Sequence, residues 1–177
     1  MGRVGSEPTL AERSIQPAAR RVRLVKALLV VAAALSLGAA VIHYYYIEEH
    51  SLEWWGYGLF FALLTAAQAF YAFLLLRRAG PWLYWIGIVG TVGVLVVYLV
   101  TRTIGVLLGP DSNMVEQVQA PDLIAALLEA MLVAVLGVLL LVPIPGRSGI
   151  AASRSREEAP SETSRAREVD TYPVETT

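Results

Sequence analysis

The sequence contains no cysteine. Disulfides, thiolate metal sites, iron–sulfur clusters, covalent haem attachment through C-x-x-C-H and thiol redox chemistry are therefore excluded. Charge is also scarce: 16% of the 177 residues are Asp, Glu, Lys or Arg, against roughly 25% in soluble domains. Lys26 is the single lysine, and His43 and His50 are the two histidines. A formal net charge of -1 leaves no basic field to attract nucleic acid, so no nucleic-acid partner is expected. Neither H-E-x-x-H nor H-x-H occurs, and there is no G-x4-G-K-[ST] phosphate loop. No internal repeat of the kind many transporters carry is visible, which argues against a pore within one chain.

What the sequence has instead is long apolar runs. They extend from Ala27 to Ile47, from Tyr57 to Leu76, from Trp82 to Thr101 and from Leu123 to Val142. Each is about 20 residues, the length that crosses a ~30 Å hydrocarbon core at 1.5 Å per residue. Helices satisfy their own backbone in lipid, so helix is expected for each run. The spacing predicts spans at about 24–47, 56–77, 82–107 and 122–143. Together these form an all-α, up-down-up-down membrane bundle over residues 23–145. The basic segment 1–22 and the Ser/Glu/Arg/Pro/Thr-rich tail 146–177 lack an apolar period and are expected to be disordered.

Basic residues fix the expected orientation. Six Lys/Arg precede the first run, Arg77 and Arg78 follow the second, and five arginines follow the fourth. The two remaining loops carry Glu48, Glu49 and Glu53, and Asp111, Glu116 and Asp122. The positive-inside rule then places both termini in the cytoplasm, with the acidic loops outside a bacterial cell membrane. Trp54, Trp55 and Tyr57, and Trp82, Tyr84 and Trp85, read as interfacial anchors. Arg20-Arg21 resembles a twin-arginine signal. The following run is longer than a usual h-region and lacks a small-x-small site, so the first span is expected to be retained.

Each run carries one polar line, which in lipid should face the bundle interior. Ser36, His43 and His50 are spaced by seven, and Thr65, Gln68 and Tyr71 by three. Tyr84, Thr91 and Tyr98 form a heptad stripe with Arg102 four further on, and Asp122 precedes Glu129 by seven. A lone ionised carboxylate such as Glu129 inside a span costs at least ~2.5 kcal/mol on insertion scales, so it must pair, protonate or line a wet cavity. Arg102 is the only guanidinium on that side of the membrane, and an Arg102–Glu129 ion pair shared with Asp122 is expected. Such a pair is either a structural pin between helices or a proton or ligand site. His43, His50 and Glu53, with Glu49, Asp111, Glu116 and Asp122 nearby, are candidate ligands for a divalent metal. The plainer reading is an interfacial histidine and a solvated acidic loop. A haem between His43 and His50 would need a dimer, because both sit on one helix about 10 Å apart. Gly87, Gly90 and Gly93, and Ala32, Ser36 and Ala40, are small residues that permit close helix approach. Gly109-Pro110 is expected to end the third helix.

His43-x5-Glu49-His50, Trp55-Gly56-Tyr57-Gly58-x-Phe60-Phe61 with Gln68 and Tyr71, and Val100-Thr101-Arg102-Thr103-x-Gly105-x3-Gly109-Pro110 with Glu116, Asp122 and Glu129 resemble a group of small four-span membrane proteins of actinobacteria and related bacteria. The resemblance covers about residues 27–142 and implies a fold but no activity. Members often have Ala-Pro before the Glu-His pair, where this chain has Ile47-Glu48, so its first helix is expected to run further.

Three functions are open at this point. The first is a binding or accessory protein whose outward polar pocket takes a cation, proton or small polar ligand. The second is a membrane oxidoreductase or haem/quinone protein, disfavoured because no second helix carries a histidine. The third is a structural subunit of a larger membrane complex or homo-oligomer. No residue is assigned a catalytic role.

Overall fold

The computed structural model describes the backbone of residues 10–142 and the side chains of residues 19–142. Four helices make up this part: α1 (Leu10–Glu53), α2 (Trp55–Arg77), α3 (Pro81–Thr103) and α4 (Ala120–Leu141). No strand occurs among the described residues. All four helices are long and apolar enough to cross a membrane. Their outer surfaces support a lipid environment. Val30, Leu63, Val89 and Leu127, one from each helix, are 58%, 62%, 68% and 60% exposed, a cost in water that vanishes among acyl chains.

Helix α1 is described from Leu10 onward, so residues 10–22 are helical where the sequence predicted disorder; residues 1–9 of that predicted segment lie outside the described residues. The stretch has three alanines and three arginines and lacks glycine, which favours helix, and the helix runs on through Pro17. At its other end α1 runs to Glu53, beyond the predicted limit near residue 47, as the missing Ala-Pro pair implied. The predicted tail 146–177 lies outside the described residues. Helix α3 stops at Thr103, four residues short of the predicted boundary. Gly105 adopts φ +110°, a conformation that favours glycine. It ends the helix before Gly109-Pro110 is reached.

Helix α1 packs against both α2 and α4, and α3 packs against α4. The α1–α2 turn is a single extended residue, Trp54. A Cβ on Gly58 would overlap Ser51, so only glycine lets the chain reverse so tightly. On α1, Ala32, Ser36 and Ala40 are almost fully buried, the close-approach stripe expected of them. A dry core fills the half of the bundle nearest the α2–α3 turn. Ala32, Ala33 and Leu35, Ala72 and Leu75, Tyr84, and Leu132, Leu136 and Leu139 bring all four helices together there. The Tyr71 hydroxyl donates to the Leu83 carbonyl at 3.1 Å, and a Cβ on Gly87 would overlap that hydroxyl. Gly90 and Gly93 face open space, so of the three glycines only Gly87 serves close packing.

The α3–α4 loop folds back over the opposite half. Val106 N donates to Met114 O at 3.1 Å, and Asn113 N donates to Val106 O at 2.8 Å. The Tyr57 hydroxyl donates to the Leu108 carbonyl at 2.7 Å, and Glu116 N donates to Thr101 O at 3.2 Å. Tyr57 thus ties the loop to α2, a role beyond the interfacial anchor read from the sequence.

Candidate functional site

The C-terminal halves of α1 and α3, the N-terminal halves of α2 and α4, and the loop surround a cavity of about 350 Å³. That volume is at the small end of ligand pockets. Its walls are apolar and aromatic, including Phe60, Phe61, Leu64, Val94 and Val97. His43 and Glu129 also line it.

Glu129 is 2% exposed and sits nine residues into α4, about 14 Å along the axis at 1.5 Å per residue. Its Oε1 accepts from Gln68 Nε2 at 2.9 Å and lies 3.1 Å from His43 Nε2. Helix α1 makes this possible by lying between α2 and α4, which brings residue 43 to the depth of residue 129. The backbone carbonyl of Gln68 accepts from Ser36 Oγ at 2.8 Å, fixing α2 against α1. The three polar lines read on α1, α2 and α4 therefore converge on one carboxylate. Among the described residues, the second oxygen of Glu129 makes no hydrogen bond to protein, and Gln68 Oε1 and Thr65 Oγ1 are buried without partners. The cluster thus holds unused acceptor capacity, which in a low-dielectric setting draws donors strongly.

Arg102 occupies a second level, nearer the loop. Its Nη2 donates to Asp122 Oδ2 at 2.7 Å, its Nη1 donates to Glu116 and to Thr101 Oγ1, and its guanidinium lies 5.1 Å from the Tyr98 ring centroid. Asp122 also accepts from Gln119 N at 3.1 Å, at the start of α4, where the helix dipole favours a carboxylate. The expected Arg102–Glu129 pair is therefore replaced by two separate assemblies. Asp122 and Glu116 take the two terminal nitrogens of the guanidinium at the level where α3 ends, while its Nε is buried without a partner, and His43, not an arginine, stands at the depth of Glu129.

A polar cavity of about 340 Å³ lies on the loop side of this level and shares Arg102, Glu116, Asp122 and His50 with the first. Glu49, Glu53 and Asp111 also border it, so it carries five carboxylates against one guanidinium. The His50 ring is stacked on Phe61 at 4.4 Å, and its Nδ1 lies 2.8 Å from Glu53 Oε2. Phe61 also lies beside His43, at 5.7 Å. This ring separates the two histidines, a contact that no spacing pattern signalled.

The predicted metal set does not assemble. His43 is committed to Glu129 and His50 to Glu53. Among the described residues, no group of three His, Cys, Asp or Glu stands close enough to hold a metal ion. Of the other predicted residues, Gln68 and Glu129 form the deep cluster. Tyr98, Arg102, Glu116 and Asp122 form the upper one, and Glu49 borders the polar cavity. Comparison with protein-family models, with curated proteins and with solved structures gives no match for this chain.

Proposed function

We propose that the chain is a multi-pass protein of a bacterial cell membrane, related to the actinobacterial four-span group it resembles, whose outer-leaflet cavity binds a small ligand. The helices run up-down-up-down with both termini cytoplasmic, and the loop joining α3 to α4 lies outside. Charge segregation along the chain supports that orientation: Arg20, Arg21 and Arg23 lie before the first apolar run and Arg77 and Arg78 after the second, and the acidic residues border the cavity at the other end of the bundle. The protein acts by binding, as a receptor or accessory subunit to a membrane partner, and not by catalysis.

One observation carries the reading. Glu129 is held at the floor of a cavity by two donors on a single oxygen, with its other oxygen left without a protein donor. A purely structural pin would satisfy both oxygens within the protein. A carboxylate with one oxygen fixed and one available accepts a proton, a cation or a hydrogen-bond donor.

The test is thermal unfolding of the detergent-purified protein against monovalent cations, divalent cations, short amines and short alcohols. A ligand at 100 times its dissociation constant stabilises by about 2.7 kcal/mol. The expected result is stabilisation by at least one class in the wild type and its loss in Glu129→Gln. Equal responses of the two proteins to every class would overturn the reading.

A further inference from the structure

Helices α2 and α3 are joined by only three residues, Arg78–Gly80, yet they do not pack along their lengths. Their extended partners are α1 and α4. They meet near the turn, where the Tyr71 hydroxyl reaches Leu83 O and lies against Gly87. Beyond that point the cavity lies between them, with Phe60 and Leu64 on one side and Val94 and Val97 on the other. Phe60 and Val97 line the cavity and remain 41% and 43% exposed, so neither is sealed by packing against another helix. On the loop side, the way out is crossed by the Arg102 bridges to Asp122 and Glu116 and by the Tyr57–Leu108 bond.

We infer that the cavity takes its ligand sideways from the bilayer, between α2 and α3, and that this ligand is an amphiphile: an apolar chain ending in a hydrogen-bond donor, a hydroxyl or an amine. The inference rests on the binding role proposed for Glu129 and adds the route and the ligand class. Each part of the cavity matches one part of such a molecule. The walls offer mostly aliphatic and aromatic surface, from Phe60, Leu64, Val94 and Val97 among others, which suits a chain. The floor offers Glu129, whose second oxygen no protein donor reaches among the described residues, which suits a donor and penalises a head that can only accept. A water-soluble ligand would instead have to pass the carboxylate-rich vestibule and displace the ion pairs on Arg102, while the gap between α2 and α3 is bordered by spanning helices at the depth of acyl chains.

The lack of cysteine allows a clean test. Single cysteines are placed on the cavity wall, Ala126→Cys on α4 and Val94→Cys on α3, in full-length protein in nanodiscs. Each is labelled with N-dodecylmaleimide, which partitions into the bilayer, and with a charged, water-soluble thiosulfonate. Rates are normalised to Ser112→Cys in the loop. The lateral route predicts fast labelling by the bilayer-borne reagent and slow labelling by the charged one, with Val97→Trp slowing only the former. Preference for the water-soluble reagent at both positions would overturn the route.

Protection then tests the ligand class, using 1-dodecanol, dodecylamine and dodecyl methyl ether. A donor-headed probe at ten times its dissociation constant should slow labelling about tenfold, and Glu129→Gln should abolish this. Protection by the alcohol, the amine or both supports the inference and tells neutral from cationic heads. Equal protection by the ether, or by none of the three, overturns it. Soluble ligands that stabilise the protein through Glu129 while no amphiphile protects would leave the binding role standing and remove only this inference.

Discussion

His43 and Glu129 are 86 residues apart in the chain, and their side chains meet at 3.1 Å inside the bundle. The pair is closed by Gln68 on the same carboxylate oxygen at 2.9 Å. Three helices thereby converge at one atom, in the half of the bundle where apolar packing gives way to a cavity. Replacing Glu129 by leucine strands the Gln68 amide and the imidazole, and leaving a buried donor without an acceptor costs about 1–3 kcal/mol. Thermal unfolding in detergent should show a loss of that order for Glu129→Leu and a smaller one for Glu129→Gln, which keeps an acceptor.

Arg102 should behave as a separate unit. Its side chain is 13% exposed and donates to Asp122, Glu116 and Thr101. Hydrogen bonds to charged groups contribute about 1.5–3 kcal/mol each in soluble proteins. The net loss for Arg102→Gln should fall at or below that range, because Glu116 is 37% exposed and the unfolded state in a membrane also finds partners. Limited proteolysis of residues 104–119 should speed up in this variant. Unchanged cleavage would show that the bridges do not hold the loop.

Gly87 and Gly90 offer a matched pair on α3. A Cβ at Gly87 would overlap the Tyr71 hydroxyl, and one at Gly90 meets nothing within 4 Å. Overpacking costs about 1–3 kcal/mol, so Gly87→Ala should lower thermal stability. Gly90→Ala should be neutral or slightly stabilising, since alanine is the better helix former. Equal effects would mean that α2 and α3 do not pinch together at this point.

Topology is testable without purification. A reporter active only outside the cytoplasm should be silent when fused after Val142 and active when inserted near Ser112. The reverse pattern would place the acidic vestibule in the cytoplasm.

The helices were legible in the sequence because length and apolarity are properties of single segments. Glu129, Gln68 and Arg102 stood out for the same reason: each is a polar residue where lipid permits few. Their partners were not legible, since pairing depends on which helices are neighbours. Arg102 and Glu129 share an end of the bundle by any four-span topology, and that made them look like partners. The position of α1 between α2 and α4, invisible in any one run, gives Glu129 to His43. The separation of the two histidines was not legible either, since it depends on Phe61, which is stacked on His50 and lies beside His43. The extent of α1 was underestimated because charged residues past the membrane edge continue a helix as readily as apolar ones.

The central claim is that Glu129 is bound to His43 and stands apart from Arg102, and a pair of double-mutant cycles on thermal stability measures it. His43→Phe with Glu129→Gln should show a coupling clearly above ~0.5 kcal/mol, the level at which contacting residues depart from additivity. Arg102→Gln with Glu129→Gln should be additive within that limit. Additivity for His43 together with coupling for Arg102 would contradict the account.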